Sequence, residues 1–321
     1  MTRARLALLG LVALILAGLV FAWSLMGSAT VTQETSFTIP AGASVSAVAD
    51  KLEAEGLVSS ASGFVLQARI FGSDAPIQAG EFMLAPGMSQ GDILAAFQSG
   101  DVIRRFVTIP EGMPSILVWE RLMAEELLIG EVPVPPEGSI LPDTYAFERG
   151  QPREALVEQM QAAMDTALAE EWAKRAPDIA VDTMRDALIL ASIVEKETGK
   201  PEERRMVAGL YSNRVKTGML LQADPTIIYP ITKGKPLGRR IRQSEISAVN
   251  GYNTYTRVGL PEGPITNPGR ESIAAVLDPA KTSALFMVAD GTGGHWFADT
   301  LEQHNANVAR WYAIRRERGE M

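Results

Sequence analysis

The residues with the clearest chemical potential are two glutamates near the end of one predicted helix. The helix is indicated over residues 183–198, where apolar side chains recur three and four positions apart. Glu197 continues an apolar stripe that includes Leu190 and Ile193, which precede it by seven and four positions. A carboxyl group on that stripe is partly removed from water, which raises its pKa. A general acid needs such a pKa near neutral pH, so Glu197 is a candidate acid.

The second glutamate, Glu195, lies on a different side of the same helix. A separation of two residues places the two side chains about 200° apart around the helix axis, so they cannot flank one scissile bond. Either Glu197 acts alone, or its partner comes from another part of the chain. The alternative without chemistry is that Glu197 forms an ion pair with Lys200 or Arg204 at the end of the helix.

Three short polar segments further along the chain carry the groups that suit sugar binding. Sugar hydroxyls need hydrogen-bond partners, and sugar faces stack on aromatic rings. The candidate substrate-binding residues are Gln222 and Asp224 in the first segment, Tyr252, Asn253, Thr254 and Tyr255 in the second, and Asn267 in the third. Each segment taken alone is also typical of a turn.

Other kinds of site have less support. His295 and His304 are the only histidines, and Asp290 or Asp299 lies near them in the sequence. Their spacing does not match the helical histidine pairs of zinc hydrolases, which favours structural roles and leaves a zinc hydrolase as an alternative. The absence of cysteine excludes disulfides, cysteine nucleophiles and thiolate metal sites. The net charge of −8 argues against nucleic acid as a partner.

An uncharged apolar segment near the N-terminus predicts a membrane anchor. As a helix, residues 6–26 would span about 31 Å, which matches the hydrocarbon core of a bilayer. Arg3 and Arg5 precede this segment, and no Lys or Arg follows it before Lys51. This asymmetry predicts a cytoplasmic N-terminus with the rest of the chain outside. The alternative is a cleaved signal peptide, which the length of the apolar run disfavours.

A sequence repeat opens two predicted folded units. Residues 37–42 and 107–112 share the pattern of a short strand and a Pro-x-Gly turn, and an amphipathic helix follows each. The other predicted elements are a strand at 80–84, helices at 90–98, 151–174, 202–217 and 301–318, and a hairpin at 285–298. Helices mixed with antiparallel strands, without a βαβ rhythm, indicate an α+β fold.

The polar segments and the helix of Glu197 together resemble the endolytic murein transglycosylases, the YceG-like (MltG) family. The matching motifs are LPDTY at 141–145, ASIVEKET at 191–198, LQADPT at 221–226, YNTY at 252–255, GLP with PI and NPG at 259–269, and ADG with GH at 289–295. Their order and spacing agree from about residue 36 to the C-terminus, and the N-terminal anchor agrees as well. One departure is Gly138-Ser139-Ile140-Leu141, where the family often has Gly and bulky residues.

The resemblance implies a domain organisation and a catalytic residue. Residues 1–26 are then a cytoplasmic tip and transmembrane helix, and 27–35 a tether. A LysM-like subdomain follows at 36–106, and the YceG-like catalytic domain occupies 107–321. The resemblance also implies that Glu197 is the catalytic residue, in agreement with the argument from the apolar stripe.

The implied activity is that of a lytic transglycosylase. Such an enzyme cleaves the MurNAc–GlcNAc bond within nascent peptidoglycan strands, leaves 1,6-anhydro-MurNAc ends and terminates glycan elongation. It needs no metal or organic cofactor. We expect it in the bacterial inner membrane with its catalytic domain in the periplasm, where glycan strands are its partners and peptidoglycan synthases are candidate partners. The alternative from another class is a membrane-anchored peptidoglycan-binding scaffold that does not cut.

Overall fold

The computed structural model describes residues 28–320, together with Leu11, Val12 and Leu16. The chain divides into two compact units, with the boundary between Arg105 and Phe106. In the part of the chain that the structure describes, helices are combined with three two-stranded sheets. The predicted α+β class is therefore confirmed.

The predicted membrane anchor, residues 6–26, lies outside the described residues apart from the three isolated positions named above. Within the described ranges, no helix combines the length and the apolar character that crossing a bilayer requires. The anchor therefore stays a prediction from the sequence, as do the predicted domain limits and the LysM-like character of residues 36–106.

The first unit is a two-stranded sheet covered by helices. Its elements are β1 (Thr35–Ile39), α1 (Val45–Ala54), α2 (Ala61–Phe71), β2 (Gly80–Leu84) and α3 (Gln90–Ser99). The strands pair antiparallel with Phe37 opposite Phe82. Both rings pack on Phe97 of α3, with centroids 5.5 and 4.9 Å away. Ser89 caps α3 by accepting the N–H of Asp92.

The second unit contains most of the helices and two further strand pairs. Its elements are β3 (Arg105–Thr108), α4 (Ser115–Met123), β4 (Thr144–Phe147), α5 (Arg153–Ala173), α6 (Met184–Glu197), α7 (Arg204–Thr217), α8 (Asp224–Thr232), α9 (Gln243–Ile246), α10 (Arg270–Leu277), β5 (Phe286–Ala289), β6 (His295–Ala298) and α11 (Leu301–Glu317). Strand β3 pairs with β4, and β5 pairs with β6 as the predicted hairpin.

Helix α6 lies in the centre of the second unit. Thr183 caps its N-terminus by accepting the N–H of Asp186. The helix packs on α5, α7, α8 and α10, and Leu190 and Ile193 are fully buried. Burying one such side chain contributes about 1.5–3 kcal/mol. The core therefore holds α6 firmly up to its last turn, where Glu197 ends the helix.

Two of the polar segments differ from the turns that their composition suggested. Helix α8 begins at Asp224 with Pro225 in its first turn, so the first segment is in part the start of a helix. Gly269 is the N-cap of α10, so the third segment also leads into a helix. Proline suits the first turn of a helix because the N–H it lacks has no partner there. A Pro-containing polar segment therefore signals a helix start as readily as a turn.

Candidate active site

The Glu197 carboxyl meets groups from α7, α8 and the loop before α10. The Tyr211 hydroxyl of α7 donates a hydrogen bond to it, and Tyr211 itself is buried. The Arg214 guanidinium of the same helix and the Asp224 carboxylate of α8 act on it electrostatically. The Glu197 Oε1 atom is buried and has no hydrogen-bond partner among the described residues. A buried polar atom in that state is costly, and it keeps the capacity to bond to a ligand.

The protonation of Glu197 follows from these neighbours. Burial, and after it the negative charge of Asp224, raise the pKa of Glu197, which reaches about 7 when all neighbours are taken together. The hydrogen bond from Tyr211 and the positive charge of Arg214 oppose this rise. The sequence prediction of a raised pKa is confirmed. Near pH 7 the carboxyl exists in both forms, so it can donate a proton and later accept one.

Tyr255 and Asp224 form a second polar group beside Glu197. The Tyr255 hydroxyl donates to Asp224 Oδ1 at 2.6 Å. The Glu197 charge contributes to the raised pKa of Tyr255, after burial and the bond to Asp224. Asp224 is exposed in the first turn of α8, and its charge acts on Glu197. The structure therefore brings together two of the predicted substrate-binding residues, Asp224 and Tyr255, around the predicted catalytic one.

Gln222 has a strained backbone at the edge of this group. Its φ is +52°, in the left-handed region that costs a non-glycine residue about 1–2 kcal/mol. Its N–H donates to the Thr254 carbonyl oxygen at 3.1 Å, which helps to hold this conformation. The side chain is exposed. Strain of this kind recurs at functional sites, where the surrounding structure aims a side chain at a ligand.

Asn253 and Thr254 have internal roles. The Asn253 side chain is fully buried and donates to three carbonyl oxygens, of residues 245, 246 and 248. Its Oδ1 accepts the Tyr255 N–H at 3.0 Å. Thr254 is also fully buried, and its Oγ1 accepts the Ala223 N–H at 3.1 Å. These two side chains therefore hold the loops that carry Tyr255 and Asp224.

The contacts of Asn267 and Tyr252 are with residues other than Glu197. Asn267 is fully buried, with its Oδ1 accepting the Ile140 N–H at 3.0 Å and its Nδ2 donating to the Met113 carbonyl at 2.9 Å. It therefore ties the segment before the LPDTY motif to the loop before α4. Tyr252 packs on Tyr229, with ring centroids 4.8 Å apart.

Glu195 has the surroundings of a structural residue. Its Oε2 accepts the Gly269 N–H at 3.0 Å and the Ser272 hydroxyl at 2.7 Å, both at the N-terminus of α10. The ion pairs proposed as the alternative role of Glu197 do not appear among the described contacts. Lys200 donates to Thr292 instead, and Arg204 pairs with Glu111.

A sequence model described as the YceG-like family matches residues 37–310, which include every residue of this group. This chain belongs to the YceG-like family. The resemblance drawn from the motifs is thereby confirmed.

Relatives of this YceG-like chain carry a common name. A protein of Streptococcus pneumoniae (strain D39 / NCTC 7466) named endolytic murein transglycosylase is 29% identical, over 84% of this chain and 57% of that protein. One of the same name from Bacillus subtilis (strain 168) is 26% identical, over 88% and 86%. The chain thus spans about 57% of the length of the pneumococcal relative. A crystal structure of a YceG-like protein from Listeria monocytogenes has a TM-score of 0.53 at 27% identity, covering 85% of this chain and 98% of that one.

Sequence reasoning missed two residues of the YceG-like site, Tyr211 and Arg214. Arg214 is largely buried, and its Nε and Nη1 donate to the carbonyl oxygens of Leu285 and Leu221 at 2.7 and 2.6 Å. The available signal was their spacing of three residues on a helix whose same face carries Val207 and Leu210. A charged residue on an apolar face is the same pattern that drew attention to Glu197.

The histidines of this YceG-like chain lie in two different settings. His295 Nδ1 hydrogen-bonds to Glu203 Oε2 at 2.8 Å. His304 stacks on Phe286, with ring centroids 5.3 Å apart. Within the described part of the chain, no three His, Cys, Asp or Glu side chains are arranged to hold a metal ion.

Proposed function

We propose that this YceG-like protein is an endolytic lytic transglycosylase of peptidoglycan, with Glu197 as general acid and then general base. The observation that carries the proposal is the Glu197 carboxyl itself. It has a pKa of about 7 and one buried oxygen without a partner among the described residues. The name shared by the curated relatives supports the substrate and the reaction type.

The reaction uses one carboxyl group twice. In the first step, protonated Glu197 donates its proton to the oxygen that links MurNAc to GlcNAc, and the C1–O bond breaks. In the second step, the C6 hydroxyl of the same MurNAc bonds to C1, and the Glu197 carboxylate takes its proton. The product is a 1,6-anhydro end, and no water is consumed. An intramolecular hydroxyl replaces the activated water of ordinary glycosidases, so a second catalytic carboxylate is not required.

Some neighbours of Glu197 stabilise its protonated form, and others stabilise its carboxylate form. Burial and Asp224 favour the protonated acid of the first step, whereas Tyr211 and Arg214 favour the carboxylate that the first step leaves behind. In the proposal, the exposed Asp224 carboxylate also stabilises positive charge at C1. Gln222 and Tyr255 contact the sugar through an amide and a hydroxyl group.

The remaining predicted substrate-binding residues receive different roles in this proposal. Asn253, Thr254 and Asn267 shape the loops around the site, because their hydrogen-bonding groups are already used inside the protein. Tyr252 belongs to a neighbouring aromatic pair with Tyr229. A direct sugar contact of these four side chains is therefore not part of the mechanism.

The proposal extends to location and to the first unit. The sequence supports a bacterial inner-membrane anchor at residues 6–26, with a cytoplasmic N-terminus and a periplasmic catalytic domain at 107–321. Residues 36–106 are proposed to be a LysM-like module that binds glycan close to the membrane. Cleavage of nascent strands close to the membrane would terminate their elongation. The peptidoglycan synthases that make these strands are the candidate protein partners of this chain.

Mass spectrometry of the products tests the proposal. The full chain in detergent micelles is incubated with purified murein, and the glycan ends are identified by mass. We expect 1,6-anhydro-MurNAc ends, which are one water lighter than reducing ends. Reducing ends alone would indicate hydrolysis, and intact strands with retained murein binding would indicate a scaffold. Either result would contradict the proposed reaction, and loss of activity on chelation would support the zinc alternative.

A further inference from the structure

The turn that follows Glu197 is held by side chains from the β5–β6 hairpin. The turn comprises Thr198–Lys200 and joins α6 to the short 3-10 helix Pro201–Glu203. Its one backbone bond to α6, from the Thr198 N–H to the Val194 carbonyl, is long at 3.4 Å. The end of α6 therefore depends on side-chain contacts for its position.

A carboxylate and a histidine form the centre of these contacts. Glu203 accepts the His295 backbone N–H at 2.9 Å through Oε1, and its Oε2 bonds to His295 Nδ1 at 2.8 Å. Both side chains are largely buried, 15% and 17% exposed. The Thr198 hydroxyl donates to the same Glu203 Oε2 at 3.4 Å. The residue directly after Glu197 is thereby connected to strand β6.

A second set of bonds connects the same turn to the tip of the hairpin. Lys200 Nζ donates to the Thr292 hydroxyl at 3.0 Å. Asp290 shapes the tip, because its Oδ1 accepts the N–H groups of Thr292 and Gly294 at 2.7 and 3.0 Å. A Cβ atom at Gly294 would lie inside van der Waals contact of Glu203 Oε1, so a larger residue there would displace the Glu203 carboxylate from this position.

We infer that Glu203 and His295 are positioning residues, which hold the turn at 198–200 and thereby fix where α6 presents the Glu197 carboxyl. This inference rests on the proposed catalytic role of Glu197. It links the hairpin to Glu197 through the turn at 198–200, because the described hydrogen bonds of Asp290 and His295 go to the hairpin tip and to Glu203. A carboxyl displaced by about 1 Å from its productive position can cost about a hundredfold in rate.

The test compares variants of this pair with matched controls in the full chain. Glu203→Ala removes both bonds from His295 to the segment after α6, whereas His295→Phe removes only the side-chain bond from Nδ1. His295→Asn is the conservative variant, because its amide can occupy the position of Nδ1. The controls are Glu202→Ala, an exposed glutamate one residue away, and His304→Phe, the histidine that stacks on the same hairpin.

We expect kcat to fall about tenfold in Glu203→Ala and His295→Phe, with KM within about twofold of wild type. His295→Asn should recover most of the loss, and the two controls should match wild type. Amide hydrogen exchange at residues 198–200 should become at least about tenfold faster in the two disruptive variants. A residue that only stabilised the fold would not produce this local change together with a kcat-specific loss.

Two outcomes overturn the inference: exchange at 198–200 that is unchanged in folded Glu203→Ala, or faster exchange with a wild-type kcat. Failure of the proposed function is seen separately. If the wild-type chain forms no anhydro ends, that proposal fails, and the exchange measurement still decides whether the hairpin holds the end of α6.

Discussion

Glu195 and Glu197 lie on different sides of the last turn of α6, and the surroundings of their carboxyl groups differ. Glu195 accepts two hydrogen bonds from the N-terminus of α10, where backbone N–H groups and the helix dipole favour negative charge. Glu197, two residues further along, is buried beside the negative charge of Asp224 and accepts one hydrogen bond, from Tyr211. Its Oε1 atom has no partner in the described structure. A carboxylate whose oxygens are hydrogen-bonded adds stability. A carboxyl group that has an unbonded oxygen and a pKa near neutral pH is available for proton transfer.

The difference also explains how one short segment serves two purposes. The Glu195 contacts to Gly269 and Ser272 tie α6 to α10 two residues before Glu197. A catalytic group held within a small distance of its target needs such support from outside the site. The structural carboxylate therefore contributes to the function of the other by restraining the helix that carries both.

The largest effect should come from Glu197→Gln. This variant keeps the shape of the side chain and removes the proton that is transferred, so anhydro-end formation should fall by about a thousandfold or more. The measurement is the rate of 1,6-anhydro product formation by mass spectrometry at pH 7. Circular dichroism should show an unchanged fold. A rate within tenfold of wild type would contradict the assignment of Glu197, and not Glu195, as the group that transfers the proton.

The same substitution should raise stability at alkaline pH. The folded-state pKa of Glu197, about 7, lies above its ordinary value of 4.5, so the folded protein binds this proton more tightly than the unfolded chain. The resulting stability is fully present below pH 4.5 and is lost as the pH rises through 7. Removing this pH-dependent loss should make Glu197→Gln about 2–3 kcal/mol more stable relative to wild type at pH 8 than at pH 4. Denaturant unfolding at both pH values measures this, and a pH-independent difference would contradict it.

Asp224→Asn should give an intermediate effect with a defined sign. The negative charge of Asp224 raises the pKa of Glu197, so its removal lowers that pKa and the acid is lost at a lower pH. The alkaline limb of the kcat profile should therefore move to lower pH, with about tenfold less activity at pH 7. Asp278→Asn, at an exposed ion pair with Arg205, is the control and should leave the profile unchanged. A limb that moves to higher pH would refute the assignment.

The smallest change in activity should come from Glu195→Gln, which acts on the structural side of the comparison. Its amide accepts less strongly from Gly269 and Ser272, so the free energy of unfolding should fall by about 1–2 kcal/mol. Activity below the melting temperature should stay within about threefold of wild type, because the Glu197 neighbours are unchanged. The paired measurement is thermal melting and product formation on one preparation. A loss as large as that of Glu197→Gln would show that the two carboxyls act together.

Much of the scaffold and the key residue follow from the sequence alone. The helical spacing places Glu197 on an apolar stripe, and the caps Ser89 and Thr183 mark the starts of two helices. The hairpin and the strand at 80–84 are equally visible. These features rest on periodicity and on residues close in sequence, which determine local backbone structure before any tertiary contact forms. Helices α8 and α10 escaped prediction because their proline- and glycine-containing starts also fit turns.

The tertiary structure alone decided which groups surround that carboxyl. Tyr211, Asp224 and Tyr255 come from three different elements, and no spacing in the sequence indicates that they converge on Glu197. The same holds for Asn253 and Asn267, whose polar composition suggested sugar contacts and whose amides instead bind backbone groups inside the protein. A hydrogen bond depends on the position of both partners, and packing sets those positions from residues far apart along the chain. Residue type therefore limits what a side chain can do, and the fold determines which of those roles it has.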